Sequence, residues 1–420
     1  MKTWEVISSK PLLPLANSLS PWIPSRLRLE YLDGLRALAA LYVSFYHALI
    51  TSTWTGAYHR LPPDLPDTLN QATCFLRFGH FAVGVFIVLS GYCLMLPVAR
   101  SPDGRLPGGE MKFLRRRTRR LLPPYYAALS FCLLLTVLPG MSHSTGTRFD
   151  EVLPAWNVGA ICSHLLLIQN WSPAWFFKID APAWSVAVEW QIYWLFAVVL
   201  LPLSRCLGPV AAAMLALTFG SAVHILFAGH YDFVGVGFVG PFALGMLGAS
   251  INFSDAAWAR RLRRQVSWER FTCVLWTAVA WLALSRGADW MENHSWLSDP
   301  VVGCAVLCLL VSCTRASLVA ASVTPPFFLR AIQSRWLVQF GAFSYSYYLV
   351  HDPILNSLHI VLRPLGLSYA ASLCLMFTFG IMLCASGAYL FHLAFERPFM
   401  PGDPNTVRQA PRAAVLSPAL

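Results

Sequence analysis

Arg36 and His47, in the first hydrophobic segment of the chain, are the residues whose types and spacing best suit chemistry. They are eleven positions apart, and eleven residues of an α-helix make almost three turns, so both side chains lie on one face. Their Cα atoms are then roughly 16 Å apart along the axis. Taken singly, Arg36 could snorkel at a helix end and His47 could be a buried structural histidine. Because ionisable residues inside a membrane are costly and usually functional, we interpret the pair as the two ends of one site.

Two further ionisable residues lie inside apolar segments and could assist His47. Glu189 lies deep in a predicted span, where a carboxylate needs a basic partner. Pairing with His47 would orient the imidazole and raise its basicity. His351 lies at a comparable depth and could be a second acid/base group. An interhelical ion pair for Glu189, and a backbone hydrogen bond for His351, are the structural alternatives. We take His47, Glu189 and His351 as candidate catalytic residues.

Polar and small residues interrupt the second apolar segment. Gly84 and Gly91 are small enough to let neighbouring helices approach closely. Ser90 could instead donate a hydrogen bond to a reacting oxygen. Ser90 and its neighbour Tyr92, together with the Trp184 indole of a later segment, suggest a substrate pocket. The candidate substrate-binding residues are Ser90, Tyr92 and Trp184.

Five arginines form the densest charge in the chain, within the segment FLRRRTRRLLPPYY at residues 113–126. Membrane topology and attraction to anionic lipids each explain basic residues at such a place. The planar guanidinium also suits bidentate phosphate binding, and Pro123 and Pro124 can break the helix so that the arginines converge. Since the basic face lies against lipid, we exclude nucleic acid and expect a soluble, phosphate-rich cofactor. The candidate cofactor-binding residues are Arg36, Arg116, Arg117, Arg119 and Arg120.

Composition determines the class of protein. The 420 residues are 56% hydrophobic and 12% charged, with a mean hydropathy of +0.55, whereas soluble domains are about 25% charged. Apolar runs long enough to cross a bilayer predict an all-α, polytopic transmembrane bundle. The ten predicted spans are 35–53, 79–98, 122–140, 184–203, 209–228, 233–251, 271–285, 301–320, 340–358 and 370–395.

The distribution of positive charge predicts the orientation of these spans. With a cytoplasmic N-terminus, the cytoplasmic segments hold 24 of the 31 Lys and Arg residues. We therefore expect cytoplasmic termini, with a tail at 1–30, a transmembrane domain at 31–396 and a disordered tail at 397–420. The apolar piece at 159–171 is too short to cross, and we expect an interfacial or re-entrant helix that roofs an outward-facing cavity.

The eleven cysteines give no sign of a metal or disulfide framework. They include no C-x-x-C pair and no Cys/His cluster at zinc spacing, so we interpret them as small core residues and expect no metal.

Six motifs occur in an order that resembles the acyltransferase-3 family of membrane acyltransferases, over residues 31 to 399. They are LDGLRALAALYVSFYH, GVFIVLSGY, FLRRRTRRLLPPYY, WSVAVEW, FSYSYYLVHDPIL and FERP. The resemblance implies transfer of an acyl group, often acetyl, from cytosolic acyl-CoA to a hydroxyl of a carbohydrate, glycolipid, peptidoglycan or macrolide sugar. It also implies that Arg36 and His47 are essential and that the basic motif from Arg116 to Arg120 is associated with activity.

The residues and the resemblance together predict an acyl-CoA-dependent O-acyltransferase. Arg36 and the arginine run would hold the donor phosphates, and His47 would be the general base or would carry the acyl group covalently. The alternative is a proton-coupled transporter or flippase, in which His47, Glu189 and His351 form a proton pathway. A transporter of this kind is expected to have broken helices at matching positions of two repeated halves. No internal repeat is visible in the sequence. A non-catalytic scaffold leaves the intramembrane polar residues unexplained. We expect a multi-pass protein of the cell membrane, the inner one in a Gram-negative cell; the sequence leaves the oligomeric state open.

Overall fold

The fold is seen in a computed structural model that describes residues 29–56, 62, 65–319 and 325–400. Within these residues the chain forms helices, turns and loops, and no strand. The ten longest described helices are α1 (Glu30–Ser52), α2 (Gly79–Ala99), α3 (Gly109–Leu135), α4 (Ala183–Leu207), α5 (Pro209–Leu226), α6 (Val239–Phe253), α7 (Trp268–Asn293), α8 (Ser295–Val319), α9 (Ser344–Leu362) and α10 (Tyr369–Phe399).

This architecture confirms the all-helical bundle and places a helix at each predicted span. Among the described residues, eight helices are long and apolar enough to cross a membrane. The exceptions are α3, which begins with the basic run, and α9, which carries several polar side chains in its first half. The predicted tails lie almost entirely outside the described residues, and the cytoplasmic location of the termini stays a prediction.

Helices α2 and α6 pack with their backbones in direct contact. A Cβ atom at Gly91 would lie 2.0 Å from the carbonyl oxygen of Phe242, and one at Gly245 would lie 2.0 Å from that of Val88. In lipid, where apolar side chains gain little by leaving the solvent, such close approach supplies the van der Waals contact that holds helices together. The prediction for Gly91 is confirmed. The one for Gly84 is wrong, because no atom of another described helix lies within 4 Å of a Cβ built there.

Helix α1 lies inside the bundle and positions the predicted site. It packs against α2, α9 and the short helix Arg335–Ala342 that precedes α9. Outer helices instead expose large apolar side chains, such as Leu226 of α5, Leu284 of α7 and Leu390 of α10. Exposed apolar surface of this extent suits contact with lipid rather than water.

The long segment between α3 and α4 folds onto the end of the bundle. It contains a 3₁₀ helix at Arg148–Val152 and an α-helix at Val158–Leu165. The Gln169 amide donates to the Tyr125 hydroxyl at 3.1 Å and to the Ala183 carbonyl at 3.0 Å, which ties the segment to both flanking helices. The helix Val158–Leu165 overlaps the apolar piece at 159–171 for which a short helix was predicted.

Candidate active site

Arg36 and His47 both lie on the unbroken helix α1, as their spacing predicts. The two side chains have different surroundings. His47 contacts α9, whose Asp352 in turn binds Arg148 of the segment between α3 and α4. Arg36 instead lines a cavity enclosed by α2, α3, α4 and α9. The helix therefore connects two polar regions roughly 16 Å apart along its axis.

His47 is held by two side chains of α9. Its Nδ1 atom lies 2.9 Å from Asp352 Oδ1 and 3.0 Å from His351 Nε2. The other nitrogen of His351, Nδ1, lies 2.8 Å from the Tyr348 carbonyl oxygen and 3.2 Å from that of Tyr347. Successive residues of one helix, His351 and Asp352, thus both reach the same imidazole nitrogen.

These contacts determine where the protons of both imidazoles lie. Backbone carbonyls only accept hydrogen bonds, so His351 Nδ1 carries a proton and its Nε2 is the acceptor in the neutral ring. His47 Nδ1 must then donate, both to His351 and to the Asp352 carboxylate. The lone pair of a neutral His47 is consequently on Nε2, which makes no hydrogen bond to any described residue. This is the form of histidine that acts as a general base.

Asp352 is buried and its charge is balanced by Arg148 of the 3₁₀ helix. The guanidinium donates to Asp352 Oδ1, and Asn356 Nδ2 donates to Oδ2 at 3.1 Å. Arg148 itself is only 2% exposed and also lies 3.4 Å from the Glu151 carboxylate. A buried carboxylate that is paired and fully hydrogen-bonded can stay ionised, which lets Asp352 orient the His47 ring.

The structure changes the prediction for Glu189. Its carboxylate accepts hydrogen bonds from Ser90 and, at 2.5 Å, from the Tyr193 hydroxyl, and within the described residues it makes none to His47. The carboxylate that orients His47 is Asp352 instead. Both Glu189 and Ser90 line the cavity that contains Arg36. They remain candidates for substrate contact, but not as part of the His47 cluster.

The cavity has a volume of about 430 Å³, which is in the range of small-molecule sites. It begins among basic residues and ends at apolar and hydroxyl side chains. The Arg36 guanidinium donates to Asp33 Oδ1 at 2.9 Å and to Cys93 Sγ at 3.0 Å, which fixes its position. The charged residues that line the cavity are Asp33, Arg36, Arg117, Arg120, Glu189 and Glu396.

The arginine run does not converge as predicted. Helix α3 continues through Pro123 and Pro124 without a break. Because residues three apart share a helix face, Arg117 and Arg120 reach the cavity together. The other two candidates are exposed, and Arg116 donates to the Pro107 carbonyl at 3.3 Å. The candidate anion-binding residues are thus Arg36, Arg117 and Arg120, whereas Arg116 and Arg119 lie outside the cavity.

Two candidate substrate-binding residues lie away from the cavity. Tyr92 is fully buried, and its hydroxyl bonds to Thr314 at 2.5 Å and to Asn252 Nδ2 at 2.9 Å, which joins α2 to α8 and α6. Trp184 stacks on Phe176 with 5.3 Å between ring centroids. We assign Tyr92 to helix packing, and Trp184 to anchoring the segment between α3 and α4. That segment does not line the cavity either, and its role as the roof of an outward-facing cavity stays a prediction.

Tyr348 connects the cavity with the His47 cluster. Its hydroxyl lies 2.7 Å from Ser185 Oγ at the end of the cavity, and its ring centroid lies 5.6 Å from that of His351. His47 does not line the cavity, but 11% of its side chain is exposed. Tyr348 and His351 therefore connect the cavity with His47 through successive side-chain contacts.

Asp180 is a second buried carboxyl near this cluster, outside the membrane-spanning segments. The backbone before it makes a tight turn, in which Ile179 has φ +67° and the Asp180 amide donates to the Lys178 carbonyl at 2.7 Å. A β-branched residue rarely adopts that φ. Burial raises the pKa of Asp180 well above its ordinary value; Asp352 adds to the rise and Arg148 opposes it.

Asp180→Asn is expected to be at least as stable as the wild type, with an advantage that grows with pH. A carboxyl whose pKa is raised by folding contributes stability below about pH 3.9 that is lost as pH rises towards the folded pKa. The amide does not titrate, so its Tm should exceed the wild-type value by about 2 °C or more at pH 8, and by less at pH 4. Thermal unfolding in detergent at both pH values tests this. Glu110→Gln, on the exposed start of α3, is the control. A variant less stable than the wild type at pH 8 would show that Asp180 is ionised.

Comparisons with known proteins agree with an acyl-transfer site. Residues 29–393 match the model of the Acyl_transf_3 family, described as an acyltransferase domain. The chain is 28% identical over 205 residues to YrhL of Bacillus subtilis strain 168, a protein named as a peptidoglycan O-acetyltransferase; the match covers 46% of this chain and 27% of YrhL. It is also 28% identical over 212 residues to the acyltransferase MdmB of Streptomyces mycarofaciens, covering 47% of each chain. The matched region is therefore less than half of either relative. No solved structure is significantly similar to the chain.

Proposed function

The chain belongs to the acyltransferase-3 family, and from this premise we propose that it transfers an acetyl group from acetyl-CoA to a hydroxyl of a carbohydrate-type acceptor. The observation that carries the proposal is the His47 cluster. His47 Nδ1 is fixed as a donor by Asp352 at 2.9 Å and His351 at 3.0 Å, which leaves Nε2 free as a base. A histidine oriented by a carboxylate is the arrangement that acyl transfer to a hydroxyl requires.

In the proposed reaction His47 Nε2 removes the proton of the acceptor hydroxyl as its oxygen attacks the thioester carbonyl. The new C–O bond forms, and the tetrahedral intermediate then collapses with cleavage of the C–S bond. The imidazolium returns its proton to the departing CoA thiolate, so the products are the acetyl ester and CoA thiol. Asp352 stabilises the imidazolium in between, as its buried charge and its contact with Nδ1 allow.

The cavity suits the donor, because its charges fit the parts of acyl-CoA. Arg36, Arg117 and Arg120 present guanidinium groups to the nucleotide phosphates. The apolar walls near Val83 and Phe86 lead towards Ser185 and Tyr348, and suit the acyl-pantetheine arm. The Tyr348 side chain contacts His351, so it must move aside for the acyl carbonyl to reach His47. With the predicted orientation, the donor enters from the cytoplasm.

The names of the relatives support the proposed class of acceptor. YrhL is named for O-acetylation of peptidoglycan, and MdmB is named as an acyltransferase. Since both matches cover less than half of the relative, we propose only that this acceptor is a carbohydrate, a glycolipid or a macrolide.

The test is transfer of radiolabelled acetyl from acetyl-CoA by the purified protein in lipid nanodiscs, with peptidoglycan fragments and a macrolide as acceptors. Arg117→Ala is expected to raise the KM for acetyl-CoA about tenfold, because it removes a charge-assisted hydrogen bond to a phosphate. Arg116→Ala is the matched control, since Arg116 is exposed and lies outside the cavity. The proposal is wrong if the wild type neither binds nor cleaves acetyl-CoA. If the two substitutions change the KM for acetyl-CoA equally, the arginines serve membrane topology and not donor binding.

A further inference from the structure

Glu396, near the end of α10, lines the same cavity and has one carboxylate oxygen without a hydrogen-bond partner. The residue is 1% exposed. Its Oε2 atom accepts from Ser346 Oγ at 2.6 Å and from His392 Nδ1 at 2.8 Å, whereas Oε1 has no partner among the described residues. Leaving a buried charged acceptor unpaired is unfavourable, and such groups are rare in folded proteins. A hydrogen-bond donor on a bound ligand would supply the partner that Glu396 Oε1 lacks.

The backbone at this position is also irregular. Helix α10 is wound as a π-helix from His392 to Glu396, before the 3₁₀ turn at Arg397–Phe399. Single π turns inside helices are rare and occur frequently at functional sites. Here the wide turn carries both Glu396 and the histidine that holds it. The two hydrogen bonds to Oε2 fix the carboxylate, so Oε1 is held in one place.

The chemistry of the missing partner is restricted. A carboxylate accepts hydrogen bonds and repels phosphate, and acyl-CoA carries no cationic group, so its partner on this ligand is an uncharged N–H or O–H donor. Arg36, Arg117 and Arg120 of the same cavity suit the phosphates of the donor. The uncharged donors of acyl-CoA are the adenine amino group, the two amides of pantetheine, and the ribose and pantoyl hydroxyls.

We propose that Glu396 Oε1 accepts a hydrogen bond from an uncharged N–H or O–H group of the acyl-CoA donor, and that this contact contributes to selection of the donor. The inference rests on the proposed function, because it takes acyl-CoA as the ligand of the cavity. It assigns Glu396 a role in donor recognition and none in the transfer step itself.

Glu396→Gln tests the contact, because glutamine keeps the shape of the side chain and loses its charge. We expect the KM for acetyl-CoA to rise about tenfold with kcat nearly unchanged, the usual effect of weakening a hydrogen bond to a charged group. Ser346→Ala is the matched control. It removes a hydrogen bond to Oε2 and leaves Oε1 in place, so it should lower Tm without a comparable rise in KM.

Shortened donors locate the group of acyl-CoA that contacts Glu396. Acetyl-pantetheine lacks the nucleotide, and S-acetyl-N-acetylcysteamine also lacks the pantoyl group and the amide that joins it to β-alanine. A Glu396→Gln defect that disappears with acetyl-pantetheine places the partner on the adenosine part. A defect that disappears only with the cysteamine thioester assigns the pantoyl amide or hydroxyl, and an equal defect with all three donors assigns the amide next to the thioester, which all three retain.

The proposal is overturned if the glutamine variant loses nothing with any of the three donors, or if Ser346→Ala raises KM equally. Binding of radiolabelled acetyl-CoA to the wild type separates these results from failure of the proposed function. If the wild type binds no acetyl-CoA at all, it is the donor assignment that fails.

Discussion

His47→Ala is expected to lower the rate of acetyl transfer by about a hundredfold to ten-thousandfold, the contribution typical of a general base. Removal of the imidazole leaves the acceptor hydroxyl with no base at the position that Asp352 and His351 determine. The cavity lies beyond this cluster, so binding of radiolabelled acetyl-CoA should be nearly unchanged. Single-turnover transfer in nanodiscs, with donor binding recorded in parallel, measures both quantities.

His359→Ala is the matched control for this substitution. His359 lies on α9 two turns beyond His351, and within the described residues no hydrogen bond or ion pair joins it to the His47 cluster. Its loss should leave transfer close to the wild-type rate. If His47→Ala abolishes donor binding and transfer together, His47 acts in binding or folding, and the general-base assignment is wrong.

Asp352→Asn is expected to lower kcat by about a hundredfold or more while the KM for the donor stays near the wild-type value. An amide can donate where the carboxylate accepts, so His47 is no longer held with its proton on Nδ1 and its lone pair on Nε2. The imidazolium that forms during transfer also loses its counter-charge. The pH dependence of kcat in the variant should differ from that of the wild type, which a purely structural role would not produce.

The same substitution removes the carboxylate that balances buried Arg148. Breaking one partner of a buried ion pair typically costs about 3–5 kcal/mol, so Asp352→Asn should also lower Tm. The double variant Arg148→Gln with Asp352→Asn removes both charges and should recover part of the lost stability, but not the lost activity. Recovery of activity together with stability would mean that Asp352 matters only for folding.

Several features of this protein follow from local sequence. The apolar runs predict helices at all ten positions, because backbone groups in a bilayer have to be bonded within their own segment. The eleven-residue spacing places Arg36 and His47 on one face of α1, because helix geometry depends on nothing beyond that segment. Asp33 next to Arg36 is a contact of the same local kind, three residues away on one turn.

Contacts between distant segments could not be read from the sequence in this way. Glu189 and Asp352 are both carboxylates within helical segments, and only the packing of α9 against α1 decides that Asp352 reaches His47. The position of Asp352 directly after His351 was a signal in the sequence that it could belong to the site. No such signal marked Arg148, because it comes from a loop that folds back onto the bundle.

The sequence by itself determined the membrane class, the helices and the residues that share a face of one helix, since these depend on hydrophobicity and on a period of 3.6 residues. The tertiary structure decided which carboxylate orients His47 and which arginines line the cavity. It also showed that α3 continues through Pro123 and Pro124. These outcomes depend on which helix faces meet. Pairing of this kind is determined by packing and by the balance of buried charges, and spacing along the chain does not encode it.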